Sequence, residues 1–317
     1  MATKKLDETA TGVFAIAATP FTDDGALDDA STDRMVDFYL ECGVAGLTIL
    51  GVMGEATKLS PEESTGFCRR VVNRVAGRVP VVVGVSAPGL NAIRSLTASV
   101  MDIGAAGVMV QPMAGLRTDE QIEGYFHMVC DALGDVPIVL QDYPPSSGVY
   151  MSVPMLNRLF NDLSSLVILK HEDWPGLRKL TKFRADERAD RRRRASILVG
   201  NGGLFLPQEL RRGADGAMTG FAFPEILVQV CARHAAGDGD GAEDLFDAYL
   251  PLIRYEQQVG VGLAIRKETL RRRGVLASAR TRAPGPALDA DDQAELSRLI
   301  DRLKTRLRAT ELAVPEI

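Results

Sequence analysis

Three histidines and four cysteines in 317 residues leave this chain little material for metal or redox chemistry. His127, His171 and His234 lack zinc-ligand spacing, and Cys42, Cys68, Cys130 and Cys231 are far apart with no CxxC pair. Each cysteine falls in an apolar or helical context, which predicts buried free thiols rather than disulfides or a metal site. No run is apolar and long enough to span a bilayer. Residues 1–10 are polar and of mixed charge, without the apolar core of a signal peptide. A cytoplasmic protein with no membrane partner is the expectation. A net charge of −5 gives no basic excess, which argues against a nucleic-acid partner. What the chain does have is ample core material, 46% hydrophobic against 25% charged.

That material is distributed in a regular alternation. Short apolar runs at 13–18, 46–50, 79–83, 107–110, 137–140, 166–169, 196–199 and 216–218 read as strands. Amphipathic stretches at 31–41, 61–75, 91–103, 119–133, 153–163, 175–183 and 204–212 read as helices. Ser60-Pro61-Glu62-Glu63 and Ser152-Val153-Pro154 are helix starts. Cys42-Gly43-Val44-Ala45-Gly46, Ile103-Gly104-Ala105-Ala106-Gly107 and Arg212-Gly213-Ala214-Asp215-Gly216 each end a helix on one glycine and open a strand on another.

Eight strands alternating with helices predict an α/β fold, a parallel (β/α)₈ TIM barrel. A doubly wound open sheet would carry a glycine-rich phosphate loop after its first strand. Ala18-Thr19-Pro20-Phe21 is no such loop. Further helical patterns at 224–236, 241–257 and 261–273, a proline-bearing linker at 281–289 and an amphipathic helix at 291–308 follow the barrel. The expected division is a catalytic barrel over 12–223 and a C-terminal helical extension, 224–317, packed on it. Five arginines within 188–194 read as a solvated loop rather than an anion site.

Such barrels work at the C-terminal ends of their strands. There the chain delivers Thr19-Pro20-Phe21, Gly51-Val52-Met53-Gly54-Glu55, Gln141-Asp142-Tyr143-Pro144, Lys170 with Glu172, Gly200-Asn201-Gly202-Gly203, and Thr219-Gly220. Lys170 closes a buried apolar run. A low-dielectric mouth disfavours an ammonium, and a neutral amine is nucleophilic toward carbonyls. The alternative is a lysine that snorkels to the surface. The Gly51–Gly54 turn offers backbone N–H groups to a carboxylate, or is a plain loop that Glu55 supports. His171 points away from Lys170 in an extended segment.

These motifs, in this order, resemble the dihydrodipicolinate synthase / N-acetylneuraminate lyase family. The carriers are Pro20-Phe21, Gly51-Val-Met-Gly54-Glu55, Asp142-Tyr-Pro144 with Gly148, and Lys170. The resemblance covers about residues 12–273. It implies a (β/α)₈ homo-oligomer, a tetramer or dimer. It also implies that Lys170 forms a Schiff base with a small-molecule 2-keto acid, with no other cofactor and no metal. Departures are local. Val52 and Met53 stand where the family has small hydroxyl residues, and Gln141 aligns with its catalytic tyrosine. Ser146 replaces the synthases' arginine, and Met113-Ala114 their aromatic pair. Gln141-Asp-Tyr-Pro144, Lys170-His-Glu172, Gly216-Ala-Met-Thr-Gly220, and Tyr249 to Ile253 with Glu256 are similar to the L-2-keto-3-deoxyarabonate dehydratase branch.

The expected activity is therefore a lyase, with dehydration of a 2-keto-3-deoxy sugar acid foremost. Lys170, Glu172 and Tyr143 are the expected catalytic residues, and Gly51, Val52, Met53, Gln141, Asn201 and Thr219 the substrate-binding ones. Glu172 is the candidate proton carrier; alternatively it is solvent-exposed and pairs with Arg178 or Lys179. Tyr143 supplies the missing phenol or simply packs. Two other readings stay open: an aldolase cleaving or condensing pyruvate with an aldehyde, and a non-catalytic keto-acid-binding protein. Chain length and stereochemistry of the substrate are expected to depend on loop side chains such as Met113, Leu116, Arg117, Trp174 and Phe221. Trp174 is expected to pack on the sixth helix.

Overall fold

The computed structural model describes residues 5–174, 176–309 and 315. Pro175, which opens the sixth expected helix, lies outside them, as do residues 1–4, 310–314 and 316–317. The eight strands are β1 (Gly12–Ile16), β2 (Gly46–Ile49), β3 (Val81–Gly84), β4 (Gly107–Val110), β5 (Ile138–Asp142), β6 (Leu166–His171), β7 (Ser196–Val199) and β8 (Gly216–Thr219). All pair in parallel with their sequence neighbours, and β8 closes on β1, making a (β/α)₈ barrel. Nearly every strand residue is buried, which is why the strands read as continuous apolar runs rather than as alternation.

Around the sheet lie α1 (Asp29–Glu41), α2 (Pro61–Val75), α3 (Leu90–Ile103), α4 (Asp119–Leu133), α5 (Pro144–Ser147), α6 (Val153–Asp162), α7 (Leu177–Arg188) and α8 (Leu206–Arg211). Ser60 and Glu63 close a full capping box on α2, and Thr118 and Gln121 another on α4. Then come α9 (Pro224–Ala235), α10 (Gly239–Glu256), α11 (Gly262–Arg272) and α12 (Ala290–Ala309). The larger core packs strands against helices. A smaller one fills the barrel with Phe14, Ile16, Val82, Met109, Val139, Ile168, Leu198 and Met218.

Two strands run further than their apolar runs. Pairing continues through Gln141 with Lys170 and Asp142 with His171, so β5 and β6 carry polar residues inside the ladder. Ile168 and Val139 face the barrel interior, and two residues on, Lys170 and Gln141 face the same way. The arginine run corrects the expectation of a solvated loop in part: Arg188 and Arg191 are exposed, but the next residues are not. Arg192 is buried, with its guanidinium over the Phe183 ring and Nη2 2.8 Å from Glu187. Arg194 pairs with Asp215 at 2.5 Å. All four cysteines are free, Cys68 and Cys130 buried, Cys42 and Cys231 half-buried.

Candidate active site

Lys170 is buried, 4% exposed, rather than snorkelling to the surface. It lines a cleft at the C-terminal ends of the strands. Its Nζ lies 3.1 Å from Oε2 of Glu172, which also accepts from the Gln141 amide at 2.7 Å. Glu172 is buried too. Its partner is thus Lys170 and not Arg178 or Lys179; Lys179 instead pairs with Asp142 and Asp173, at 2.5 and 3.0 Å. Gly200 lets the Glu172 carboxylate lie flat against β7, since a Cβ there would overlap it. His171, facing outward, has Nδ1 3.5 Å from Asp142 and Nε2 3.0 Å from the Gly176 carbonyl oxygen. Burial opposes its charge, but hydrogen bonding and the charge of Asp142 raise its pKa.

Tyr143 lines the cleft beyond Gln141. Burial first, and then the Glu172 charge, hold its phenol above the usual value. Val52 and Met53 border the cleft on a short 3₁₀ turn, Val52–Gly54. Their N–H groups are the first donors of that turn and have no carbonyl within it to bond. Gly51 lies beneath, its carbonyl accepting from Gly54 N at 3.0 Å, and does not line the cleft. Thr19 Oγ1 donates to the Gly54 carbonyl oxygen at 2.5 Å.

Glu55 holds this turn in place. It adopts a left-handed backbone, φ 55°, and its buried carboxylate meets Lys267 at 2.6 Å and Lys58 at 2.8 Å. The backbone N–H of Arg282 adds a hydrogen bond of 2.9 Å. Burial lowers the Lys267 pKa to about 8 despite that carboxylate.

On the β7–β8 side, Asn201 Nδ2 donates to the Glu172 carbonyl oxygen at 3.2 Å, and Thr219 Oγ1 accepts from Gly202 N at 2.7 Å. Both residues line the cleft. The expected loop side chains do not: Met113, Leu116, Arg117, Trp174 and Phe221 all lie off it. Trp174 is 54% exposed, its ring 6.0 Å from that of Phe205 ahead of α8. Gln257 and Arg266, from the helical extension, complete the wall. Sequence reasoning missed both, and only Glu256, one residue from Gln257, carried a signal. Among the described residues no cluster of His, Cys, Asp and Glu is arranged to hold a metal.

A buried lysine facing a carboxylate, at the mouth of a barrel, suits imine chemistry. The model of the dihydrodipicolinate synthetase family matches residues 9–303. The chain belongs to that family. It is 36% identical to an L-2-keto-3-deoxyarabonate dehydratase from Azospirillum brasilense, over 92% of this chain and 94% of that one. The crystal structure of a dihydrodipicolinate synthase from Rhodopseudomonas palustris superposes with a TM-score of 0.93 at 51% identity, covering 95% of this chain and 100% of that one. An Escherichia coli K12 prophage protein of the family, solved in complex with pyruvate, superposes at 0.84 with 26% identity, over 93% and 98%. The protein is thus a lyase of this family, and no helix of its described residues is long and apolar enough to cross a membrane.

Proposed function

We propose that this lyase dehydrates a 2-keto-3-deoxy sugar acid through an imine on Lys170, with no further cofactor. The observation that carries the reading is the Glu172 carboxylate, 3.1 Å from the Lys170 amine and 2.7 Å from the Gln141 amide inside one cleft. The amine adds to the C2 ketone and expels water, giving a protonated imine. That imine is an electron sink, so Glu172 can take a C3 proton and leave an enamine. The enamine expels the C4 hydroxyl, which takes a proton from Glu172 and departs as water. Hydrolysis then frees Lys170 and the dehydrated keto acid. The Val52 and Met53 amides hold the substrate carboxylate. Gln141 exchanges no proton; it fixes Glu172 and leaves that carboxylate as the nearest proton carrier. Tyr143, kept protonated, donates a hydrogen bond to the leaving hydroxyl. The working form is a cytoplasmic homo-oligomer, a tetramer or dimer.

The Azospirillum relative's name supports dehydration. The Rhodopseudomonas relative, named as a synthase, favours carbon–carbon bond chemistry on the same imine instead. Borohydride trapping with pyruvate and a panel of 2-keto-3-deoxy acids, followed by peptide mapping, tests the common step. An adduct on Lys170 is expected. No adduct from a folded sample returns the protein to a binding role. Lactate dehydrogenase coupling then separates the two lyases, because only retro-aldol cleavage releases pyruvate.

A further inference from the structure

Arg266 is the largest fully buried side chain, and its hydrogen bonds are incompletely used. Its Nε donates to Oε1 of Glu256 at 2.5 Å and its Nη2 to the Gly220 carbonyl oxygen at 2.6 Å. The other carboxylate oxygen of Glu256 accepts from Ala222 N at 3.1 Å, so the carboxylate is pinned and pins the guanidinium. Nη1 is buried and has no hydrogen-bond partner among the described residues. A buried N–H left unmade is costly, and native proteins seldom carry one without a purpose. Nη1 lies against Gly220, where a Cβ would overlap it, and both residues line the cleft that holds Lys170.

Position decides what this group meets. In the barrel order, β8 stands two strands from β6, which carries Lys170, and two from β2, which leads into the Val52–Met53 turn. A keto acid held at those two points has C1 and C2 fixed, and its tail must leave sideways. Neither the β3 nor the β4 end contributes a residue to the cleft, while Asn201, Gly202, Thr219 and Gly220 after β7 and β8 line it, so a tail that stays in the cleft runs along that wall. Charge decides what the tail carries. Arg266 is matched one-to-one by Glu256, and a second substrate carboxylate would meet no net positive charge there. A neutral hydroxyl oxygen accepts from Nη1 without that cost.

We propose that Arg266 is a specificity residue, its Nη1 donating to a distal hydroxyl of the substrate and selecting hydroxyl-tailed keto acids over diacids. The inference rests on the imine reading above. The test is kcat/KM for dehydration of 4,5-dihydroxy-2-oxopentanoate, 4-hydroxy-2-oxopentanoate and 4-hydroxy-2-oxoglutarate, in the wild type and in Arg266→Lys. The wild type should prefer the dihydroxy acid to its 5-deoxy analogue by about 10- to 100-fold, the range of a hydrogen bond to a charged donor. The diacid should be poorer than the dihydroxy acid. Arg266→Lys should bring the first ratio close to one while pyruvate still traps on Lys170. A wild-type ratio near one overturns the inference and needs no variant. So does preference for the diacid, or an equal loss on both monoacids in Arg266→Lys. A wild type that traps no pyruvate overturns the imine reading, and the inference with it.

Discussion

The two ends of the barrel both bury charge, and they use it differently. Beneath β7 and β8, Arg184 meets Asp215 at 2.6 Å and Glu187 at 2.7 Å, Arg194 meets both carboxylates too, and Arg192 meets Glu187. Asp215 also accepts from Ile197 N at 2.8 Å, which ties the cluster to the ladder. At the mouth, Lys170, Glu172, Gln141 and Arg266 line open space, and Arg266 Nη1 has no protein partner there among the described residues, whereas Arg192 Nε in the brace, equally without one, belongs to a guanidinium stacked over the Phe183 ring. Burial of charge therefore does not distinguish a working site from a brace. Unspent hydrogen-bonding capacity beside a cavity does.

Exchanging charges at each end tests this contrast. The largest effect is expected at Lys170. Lys170→Ala should abolish turnover and borohydride trapping while the circular dichroism spectrum and melting profile stay native-like; retained activity would sink the imine scheme. Next is Glu172→Gln, which should cut kcat by about 10²- to 10⁴-fold, the usual worth of general acid–base help. Pyruvate should still trap on Lys170 in that variant, so a loss of trapping would point to a structural role. At the other end, Arg184→Met should cost about 3–5 kcal/mol of stability in urea titrations, as for a broken buried pair. Its kcat under folding conditions should be unchanged, and a catalytic defect there would erase the contrast.

The smallest effect concerns Glu209, buried on α8 behind the site. Burial, helped by the Glu172 charge and opposed by His171, pushes its carboxyl up to about 7 from 4.5. Between those values the folded protein keeps a proton that the unfolded chain has released. Stability from this group is therefore present below about pH 4.5 and declines as pH rises toward about 7. Glu209→Gln should flatten that decline in thermal melts, and parallel profiles for the two proteins would rule it out.

Much of the mouth was legible because its parts are local. A short apolar run ending in Lys170 marks a strand tip whatever lies around it, and Gly51 to Glu55 reads as a turn by composition alone. What was not legible depends on distant partners. Arg192 and Arg194 look solvated until Glu187 and Asp215 fold against them. Glu172 shares a strand face with Lys170, but its second partner, Gln141, lies 31 residues away and is brought there by the pairing of β5 with β6. Arg266 reaches Gly220 across 46 residues of chain, and no spacing rule connects them. The strand ends of β5 and β6 were missed because ladder pairing continues after hydrophobicity stops.

The Glu55 brace has a consequence in time as well as in space. The turn proposed to hold the substrate carboxylate is written early in the chain, but Lys267 and Arg282, which fix it, are written more than two hundred residues later. During vectorial synthesis the barrel strands emerge and can pair before those residues leave the ribosome. A nascent chain can thus carry Lys170 in a nearly closed barrel and still lack a set carboxylate turn. Competence arrives with the last helices.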